Sequence, residues 1–393
     1  MSPVWSEVTL GELVTQKNQR IENSKSLAVA SITRGRGLIP QDQVFKKKIA
    51  SRDVSNYKVV SYGDVVVGIH IDEGAIGTSL LHDDHLVSPA YSVWSVRDDE
   101  KVDSNYLGKF LRSPRAIRYF VANYRKTADR RGKLTQESLL ALKIPLPPLD
   151  EQRRIAAILD KADEVRSMRK AALGTLETLS QAIFIEMFGD PVTNPMGWPL
   201  ERLAVLTSKI GSGATPRGGD SAYQDHGIPL IRSLNIHDGR FLRRKLAFLD
   251  SEQAAKLDNV IVEEHDVLLN ITGASVARVC TVPNWVVPAR VNQHVAIIRC
   301  KPKLNHCFLQ AHLQSKSYKA LLLAMAESGA TRQALTKGQI GSLQIMVPPQ
   351  SLQVKFESTI ETITSTFDLT IKSIVGLSQL LASLQQKAFQ GAL

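Results

Sequence analysis

The chain has 393 residues, 43% of them apolar and 22% charged, and 49 Lys and Arg against 38 Asp and Glu leave a net charge of +11. That apolar share is enough for two or three packed domains and excludes disorder as the main state, while the basic balance points to a polyanionic partner. No apolar run approaches the roughly 18 residues of a membrane span, and Met1–Glu7 has neither a basic start nor an apolar stretch, so a cytoplasmic protein without a membrane role is expected. The three cysteines, Cys280, Cys300 and Cys307, are odd in number and lack C-x-x-C spacing, which gives no support to a disulfide framework or a zinc knuckle.

In chain order, Gly35-Arg36-Gly37 reads as a basic turn, and Val65–Val67 as a buried strand entered through a turn that carries Asp64. His82-Asp83-Asp84-His85 reads as a solvated turn, because its spacing alone specifies no metal geometry. Residues 109–133 hold Lys109, Arg112, Arg115, Arg118, Arg125, Lys126, Arg130, Arg131 and Lys133 against the single acid Asp129. Arg112, Arg115 and Arg118 are spaced to share one side of a helix, and such a face suits sequence-independent contact with phosphates. Pro147-Pro148 ends the globular part of the first half. A long helix follows, with Asp150 as its N-cap, and Gly189-Asp190-Pro191 stops it near Phe188.

The second half repeats the first at an offset of 201–202 residues. Val267-Leu268-Leu269 and Asp266 answer Val65–Val67 and Asp64, Leu335-Thr336 answers Leu134-Thr135, Pro348-Pro349 answers Pro147-Pro148, and Gln353 answers Gln152. Within this half, Gly211-Ser212-Gly213 reads as a turn, since it lacks the third glycine of a dinucleotide fingerprint. Arg232, Arg240, Arg243, Arg244 and Lys245 form a second, sparser basic cluster. Asn292-Gln293-His294 precede the strand Val295–Ile298 and either satisfy turn amides or point at a ligand. Cys300, His306 and Cys307 lack a completing fourth metal ligand at usable spacing. The loop through Arg332, Gln333 and Lys337 either reads base edges, Arg on guanine and Gln on adenine, or caps the helix after it.

That second long helix starts at Ser351, its expected cap, and runs to the end of the sequence. Its apolar residues Phe356, Ile360, Ile363, Phe367, Ile374, Leu377, Leu381 and Leu384 alternate at four and three, with Thr370 the exception. Shifted back by the repeat, the first long helix gives Ile155, Leu159, Leu173, Leu176 and Ile183. A period of 3.5 argues for a coiled coil between the two. Neither a Walker A sequence nor an Asn/Asp-Pro-Pro-aromatic methyltransferase clamp occurs, so the chemistry is expected on a partner.

The stretches Ile144-Pro145-Leu146-Pro147-Pro148-Leu149-Asp150-Glu151-Gln152-Arg153-Arg154-Ile155 and Met187-Phe188-Gly189-Asp190-Pro191-Val192-Thr193-Asn194-Pro195-Met196-Gly197-Trp198 resemble the central region of type I restriction-modification specificity subunits. Ile231–Ile236 and Asn292-Gln293-His294 resemble that family's target-recognition domain. One departure is Gln350-Ser351-Leu352-Gln353, which replaces the Glu-Gln-Arg of the first copy.

The resemblance implies an α+β fold with two target-recognition domains, residues 1–147 and 191–348. Helical spacers at 148–190 and 349–393 pair antiparallel in an internal pseudo-two-fold repeat. It further implies a non-catalytic subunit that reads a bipartite, asymmetric target in double-stranded DNA. Two methyltransferase subunits would carry the S-adenosylmethionine, restriction subunits would join them, and no cofactor would sit on this chain. The residues assigned to DNA are Arg34, Arg36, Arg112, Arg115, Arg118, Arg125, Lys126, Arg130, Arg131, Lys133, Arg217, Arg232, Asn235, Arg243, Arg244, Asn292, Gln293, His294, Arg332, Gln333 and Lys337. A coiled-coil scaffold that organises protein partners without reading DNA is the competing expectation.

Overall fold

The computed structural model describes residues 5–21, 27–43, 53–126, 132–216, 219–327 and 333–393. The α+β chain divides into two compact units, residues 1–170 with 372–393, and residues 171–371. In the first unit an antiparallel sheet runs in the order Val14–Lys17, Ser92–Val96, Val65–Val67, Ile76–Thr78. Val65 and Val66 are fully buried, as a run of three β-branched residues requires. The strand Ser6–Thr9 pairs antiparallel with Lys143–Leu146 and brings the two ends of the globular part together.

In the second unit the corresponding sheet runs Thr207–Ser212, Val295–Cys300, Val267–Asn270, Val279–Thr281, and Leu200–Arg202 pairs with Gln344–Met346. A further sheet places Ile228–Ile231 parallel to Ala289–Val291. The turn aspartates do the same work in both units. Asp64 accepts Ser61 N–H at 2.8 Å and binds Lys17 at 2.6 Å. Asp266 accepts Glu263 N–H at 2.8 Å and is held by Arg299 at 2.8 and 2.9 Å.

The long helices span Leu149–Phe188 and Gln350–Ala388. Asp150 and Ser351 lie inside the first turn and are not the caps, contrary to the sequence expectation. The reason is the second proline of each pair, whose carbonyl already accepts the first helical N–H groups. Pro148 takes Glu151 and Gln152 at 2.9 and 3.0 Å, and Pro349 takes Leu352 and Gln353 at 3.0 and 3.3 Å.

Of the helix seam, Ile155, Leu159 and Leu381 enter the core of the first unit, with Leu384 packed against it, and Ala388 joins them there. Phe356 enters that of the second unit, with Ile183 and Ile360 against it. Leu173, Leu176, Ile363, Phe367, Ile374 and Leu377 are half-buried. Thr370, the exception in the apolar pattern, is buried and turns its hydroxyl onto the Thr366 carbonyl at 2.8 Å. The second long helix is long and apolar enough by composition to cross a membrane, with mean hydropathy 1.2 over its best window. It contains no uninterrupted apolar run of the length a span needs. Ser, Thr and Gln interrupt its apolar residues, together with Lys355, Glu357, Glu361, Asp368, Lys372 and Lys387.

Each long helix is fastened to a globular part by a glutamine with no solvent exposure. Gln152 Oε1 accepts Asp103 N–H at 2.9 Å, and its Nε2 donates to the Lys101 and Pro147 carbonyls, both at 2.8 Å. Gln353 Oε1 accepts Asn305 N–H at 2.8 Å, and its Nε2 donates to Lys303 at 3.3 Å and Pro348 at 2.9 Å. Gln353→Ala strands one buried N–H and two carbonyls, so urea denaturation should report a loss of about 2–4 kcal/mol.

His312 is fully buried beside Phe184, Phe308 and Tyr318, and burial pushes its imidazole from 6.5 down to about 3 despite the opposing pull of Asp190. It is neutral when folded and protonated when unfolded between those values. Stability is therefore fully present above pH 6.5, and this group should remove about 1.4 kcal/mol per pH unit as the pH falls toward 3. His312→Gln should flatten that part of a urea-midpoint-against-pH curve.

Candidate nucleic-acid interface

In the second unit, several chain segments meet at one edge of the main sheet. Gly211 and Ser212 belong to the strand Thr207–Ser212, so the sequence reading of residues 211–213 as a turn is corrected. Gly213 follows because its backbone passes against the next sheet. A Cβ there would lie 1.7 Å from the Val291 carbonyl oxygen, and its N–H donates to Asn292 O at 3.2 Å.

Asn292 is buried and uses its side chain to accept His294 N–H at 3.1 Å, which makes the turn before Val295–Cys300. His294 Nδ1 lies 2.5 Å from Thr272 Oγ1, and its carbonyl accepts Ile271 N–H at 3.0 Å. Gln293 is exposed, accepts the Thr215 hydroxyl, and has its Nε2 3.1 Å from His294 Nε2. Gly273 N–H donates to Gln333 O at 3.1 Å, and Leu335 N–H to Ile271 O at 2.8 Å.

The exposed amides of Gln293 and Gln333 are thus carried on one hydrogen-bonded edge, and an amide is the side chain that pairs with an adenine edge. Thr336 caps the next helix, accepting Gln339 N–H at 3.2 Å, which leaves Lys337 exposed on its first turn. Thr215 and Thr272, which hold Gln293 and His294, were not singled out from the sequence. Their only signal there is a polar residue just beyond a strand end.

The other described residues assigned in this unit lie in the segment 232–245. Asn235 is fully buried, accepts Arg232 N–H at 3.0 Å, and donates to the Leu242 and Arg244 carbonyls at 2.9 and 3.3 Å. It builds a turn, and its assignment to DNA is corrected. Arg232 donates to Lys245 O at 2.7 Å and stacks over Tyr223 at 4.8 Å. Arg243 and Arg244 are exposed, with Arg243 5.4 Å over the half-exposed Trp285, which in turn meets Phe241 edge-on.

In the first unit, Arg36 is exposed on the turn between Ala30–Thr33 and Gly37–Pro40, where Gly35 and Gly37 take φ of 74° and 79°. Arg34, beside it, is ion-paired with Glu73. The run 109–133 is not one basic face. Ser113 caps a new helix, Pro114–Asn123, with Pro114 in its first turn, so Arg112 ends one helix while Arg115 and Arg118 belong to the next.

Lys109 is buried and paired with Asp160 at 2.7 Å and Asp163 at 3.0 Å on the first long helix. Arg112 packs against Gly37 and Gly77, where an added Cβ would fall 2.8 and 2.2 Å from its Nη1. Burial pushes its pKa down, while Asp163 and Asp160 pull it up. The space beside both glycines is filled by the guanidinium itself. Arg115 pairs with Glu7 at 2.6 Å. Arg115 and Arg118 line a groove against Ser383, Gln386 and Gln390 of the C-terminal segment. Arg130, Arg131, Arg217 and Arg332, and the side chains of Arg125, Lys126 and Lys133, lie outside the described residues.

The type I restriction modification DNA specificity domain matches residues 4–177 and again 208–379. The chain belongs to the type I restriction-modification DNA specificity family. Two curated relatives come from Methanocaldococcus jannaschii. The type I restriction enzyme MjaIX specificity subunit is 25% identical over 66% of this chain and 63% of its own length. The putative MjaX specificity subunit is 22% identical over 78% of this chain and 72% of its own length. The chain therefore spans just under two thirds of the MjaIX subunit.

Among solved structures, a chain from a study of assembly and conformational transition in a type I restriction-modification system has 20% identity and a TM-score of 0.62, with each chain covered in full. The S subunit from M. genitalium has 14% identity and a TM-score of 0.59, over 98% of this chain and 96% of that one. At these identities the structures establish a shared fold.

Within that fold, the buried and exposed cations of the first unit separate by experiment. Lys109→Ala removes the buried cation that pairs with Asp160 and Asp163 and should cost about 1–3 kcal/mol in urea denaturation. Arg118→Ala removes an exposed cation and should stay within about 0.5 kcal/mol of the parent chain.

Proposed function

We propose that the chain is the sequence-specificity subunit of a type I restriction-modification complex, a non-catalytic cytoplasmic protein that reads a bipartite, asymmetric target in double-stranded DNA. The observation that carries this reading is the double match of one DNA specificity domain, to residues 4–177 and to 208–379. One recognition domain comprises residues 1–147 and the other 191–348, each reading half of the target. Two methyltransferase subunits bring S-adenosylmethionine and the adenine chemistry, and restriction subunits join for cleavage.

The helices 148–190 and 349–393 act as an antiparallel spacer that sets the gap between half-sites. In each unit the start of one long helix shares a core with the end of the other, which supports this pairing. Ile155 and Leu159 meet that core with Leu381 and Ala388, while Phe184 and Phe188 stand 5.8 and 5.6 Å from Phe356. The difference between the exposed tips, Arg36 in one unit and Gln293 with Gln333 in the other, supports an asymmetric target. Among the cations assigned to DNA, Arg36, Arg118, Arg243, Arg244 and Lys337 are exposed and suit phosphate contact.

The test is DNA binding by the chain assembled with its methyltransferase subunits. Gln293→Ala should relax preference at a single base pair by about 1–3 kcal/mol with little change in salt dependence. Arg36→Ala should weaken binding to all sequences and flatten the salt slope by about one unit. An assembled complex that binds every duplex equally would overturn the reading.

A further inference from the structure

The two units close the ends of their long helices in the same way and then differ. Phe188 packs edge-on against Phe308 with ring centres 4.9 Å apart, and Phe389 packs edge-on against Tyr106 at 5.6 Å. Phe308 and Tyr106 stand at matching positions of the repeat. So do two serine caps on the next helix of each unit. Ser315 Oγ accepts Tyr318 N–H at 3.4 Å, and Ser113 Oγ accepts Ala116 N–H at 3.3 Å. With the caps aligned, Arg115 and Arg118 stand where the second unit has Ser317 and Ala320.

In the second unit, the chain just beyond Phe188 brings an acid to this helix start. Asp190 is half-buried, and its Oδ1 accepts Val192 N–H at 2.9 Å and Thr193 N–H at 3.1 Å. Burial pushes its carboxyl up, but the Ser317 hydroxyl, these two N–H groups and His312 outweigh burial and hold it below the usual carboxylate range. A charged carboxylate therefore sits beside the start of Lys316–Glu327, where the helix carries partial positive charge.

In the first unit, Gln390, Gly391, Ala392 and Leu393 follow Phe389, and none is acidic. The matching place is an open groove of about 550 Å³ between the start of Pro114–Asn123 and the end of the second long helix. Its lining carries Arg115 and Arg118, the amides of Gln386 and Gln390, and no acid. Arg115 shares its charge with Glu7, whereas Arg118 is exposed and makes no ion pair among the described residues. Two cations thus replace Ser and Ala at the place from which the acid is missing.

We propose that this groove is the docking site for an acidic peptide segment of a protein partner, an aspartate presented on a tight turn, with Arg118 as its principal contact. Asp190 in the other unit shows the form of such an occupant. A guanidinium grips a carboxylate through two parallel N–H···O bonds, and the helix start adds to the attraction. The second unit fills its own place with its own chain, so the segment docks on the first unit alone. Arg118 then serves a carboxylate rather than a phosphate. The inference goes beyond the specificity reading, which requires no such difference between the units.

The probe is a fluorescein-labelled peptide with the sequence of residues 189–194, Gly-Asp-Pro-Val-Thr-Asn, titrated with the purified full chain at low ionic strength. The test needs neither DNA nor a partner subunit, so its failure leaves the specificity reading untouched. Fluorescence anisotropy should show saturable binding that weakens as salt is added. The same peptide with asparagine in place of the aspartate should bind about 10–100-fold more weakly. Arg118→Ala should keep the parental melting temperature and lose about tenfold or more in affinity for the aspartate peptide. No saturable binding, equal binding of the two peptides, or parental affinity in Arg118→Ala would each overturn the proposal. A short DNA duplex that binds in an Arg118-dependent way while the peptide does not would assign the groove to phosphate, and would overturn it too.

Discussion

A glutamine without access to water decides where each long helix begins. Gln152 and Gln353 each sit four residues beyond a Pro-Pro pair and bridge the proline carbonyl to the loop before the domain's first long helical stretch. Proline alone would end the preceding strand and leave the direction of the next segment open. The glutamine closes that freedom, because any other direction would bury an amide N–H and a carbonyl without partners. The core then has a fixed surface to build on, Ile155 and Leu159 in one unit and Phe356 in the other. The terminal strand pairs, Ser6–Thr9 with Lys143–Leu146 and Leu200–Arg202 with Gln344–Met346, hold the same junctions from the opposite side.

Much of this frame is legible in the sequence, because it rests on periodicity and on residues with one dominant physical role. The valines of Val65–Val67 announce a buried strand, Pro-Pro a joint, and the alternation of four and three a long helix. Thr135 and Thr336 also sit where the matching residues become helix caps, accepting Ser138 and Gln339 N–H, each at 3.2 Å. What sequence reading missed depends on the partner of a polar group. Arg112, Arg115 and Arg118 have helical spacing, and only Ser113-Pro114 between them marks the break. Lys109 looks like any surface cation until the helix forty residues later supplies Asp160 and Asp163. Asn235 and Asn292 belong to the polar segments at the strand ends, and both are spent on turn geometry.

The run of positive charge therefore changes meaning. Part of it balances the acidic side of the chain's own helix, where a buried cation is stable only because its counter-charges are within 3 Å. Phosphate contact is left to cations whose burial the fold does not require. Among the described residues, the exposed cations assigned to DNA come from several segments of both units.

A repeated frame also explains how the two halves can diverge without unfolding. The buried aspartates, glutamines and threonine caps satisfy backbone groups and tolerate little change. The strand ends and turn tips carry no such duty, so Arg36 can stand at one edge while Gln293 and Gln333 occupy the other. His265 marks the boundary between these regimes. It lies directly before a frame residue, Asp266, in a conformation that favours glycine, and its ring meets His306 and, through it, Cys307. The first copy has Gly63 at this position, and in the second the His265 ring nitrogen meets His306 Nε2 at 3.3 Å. The asymmetry of the two halves thus reaches from the edges that face outward to a junction that fixes a helix.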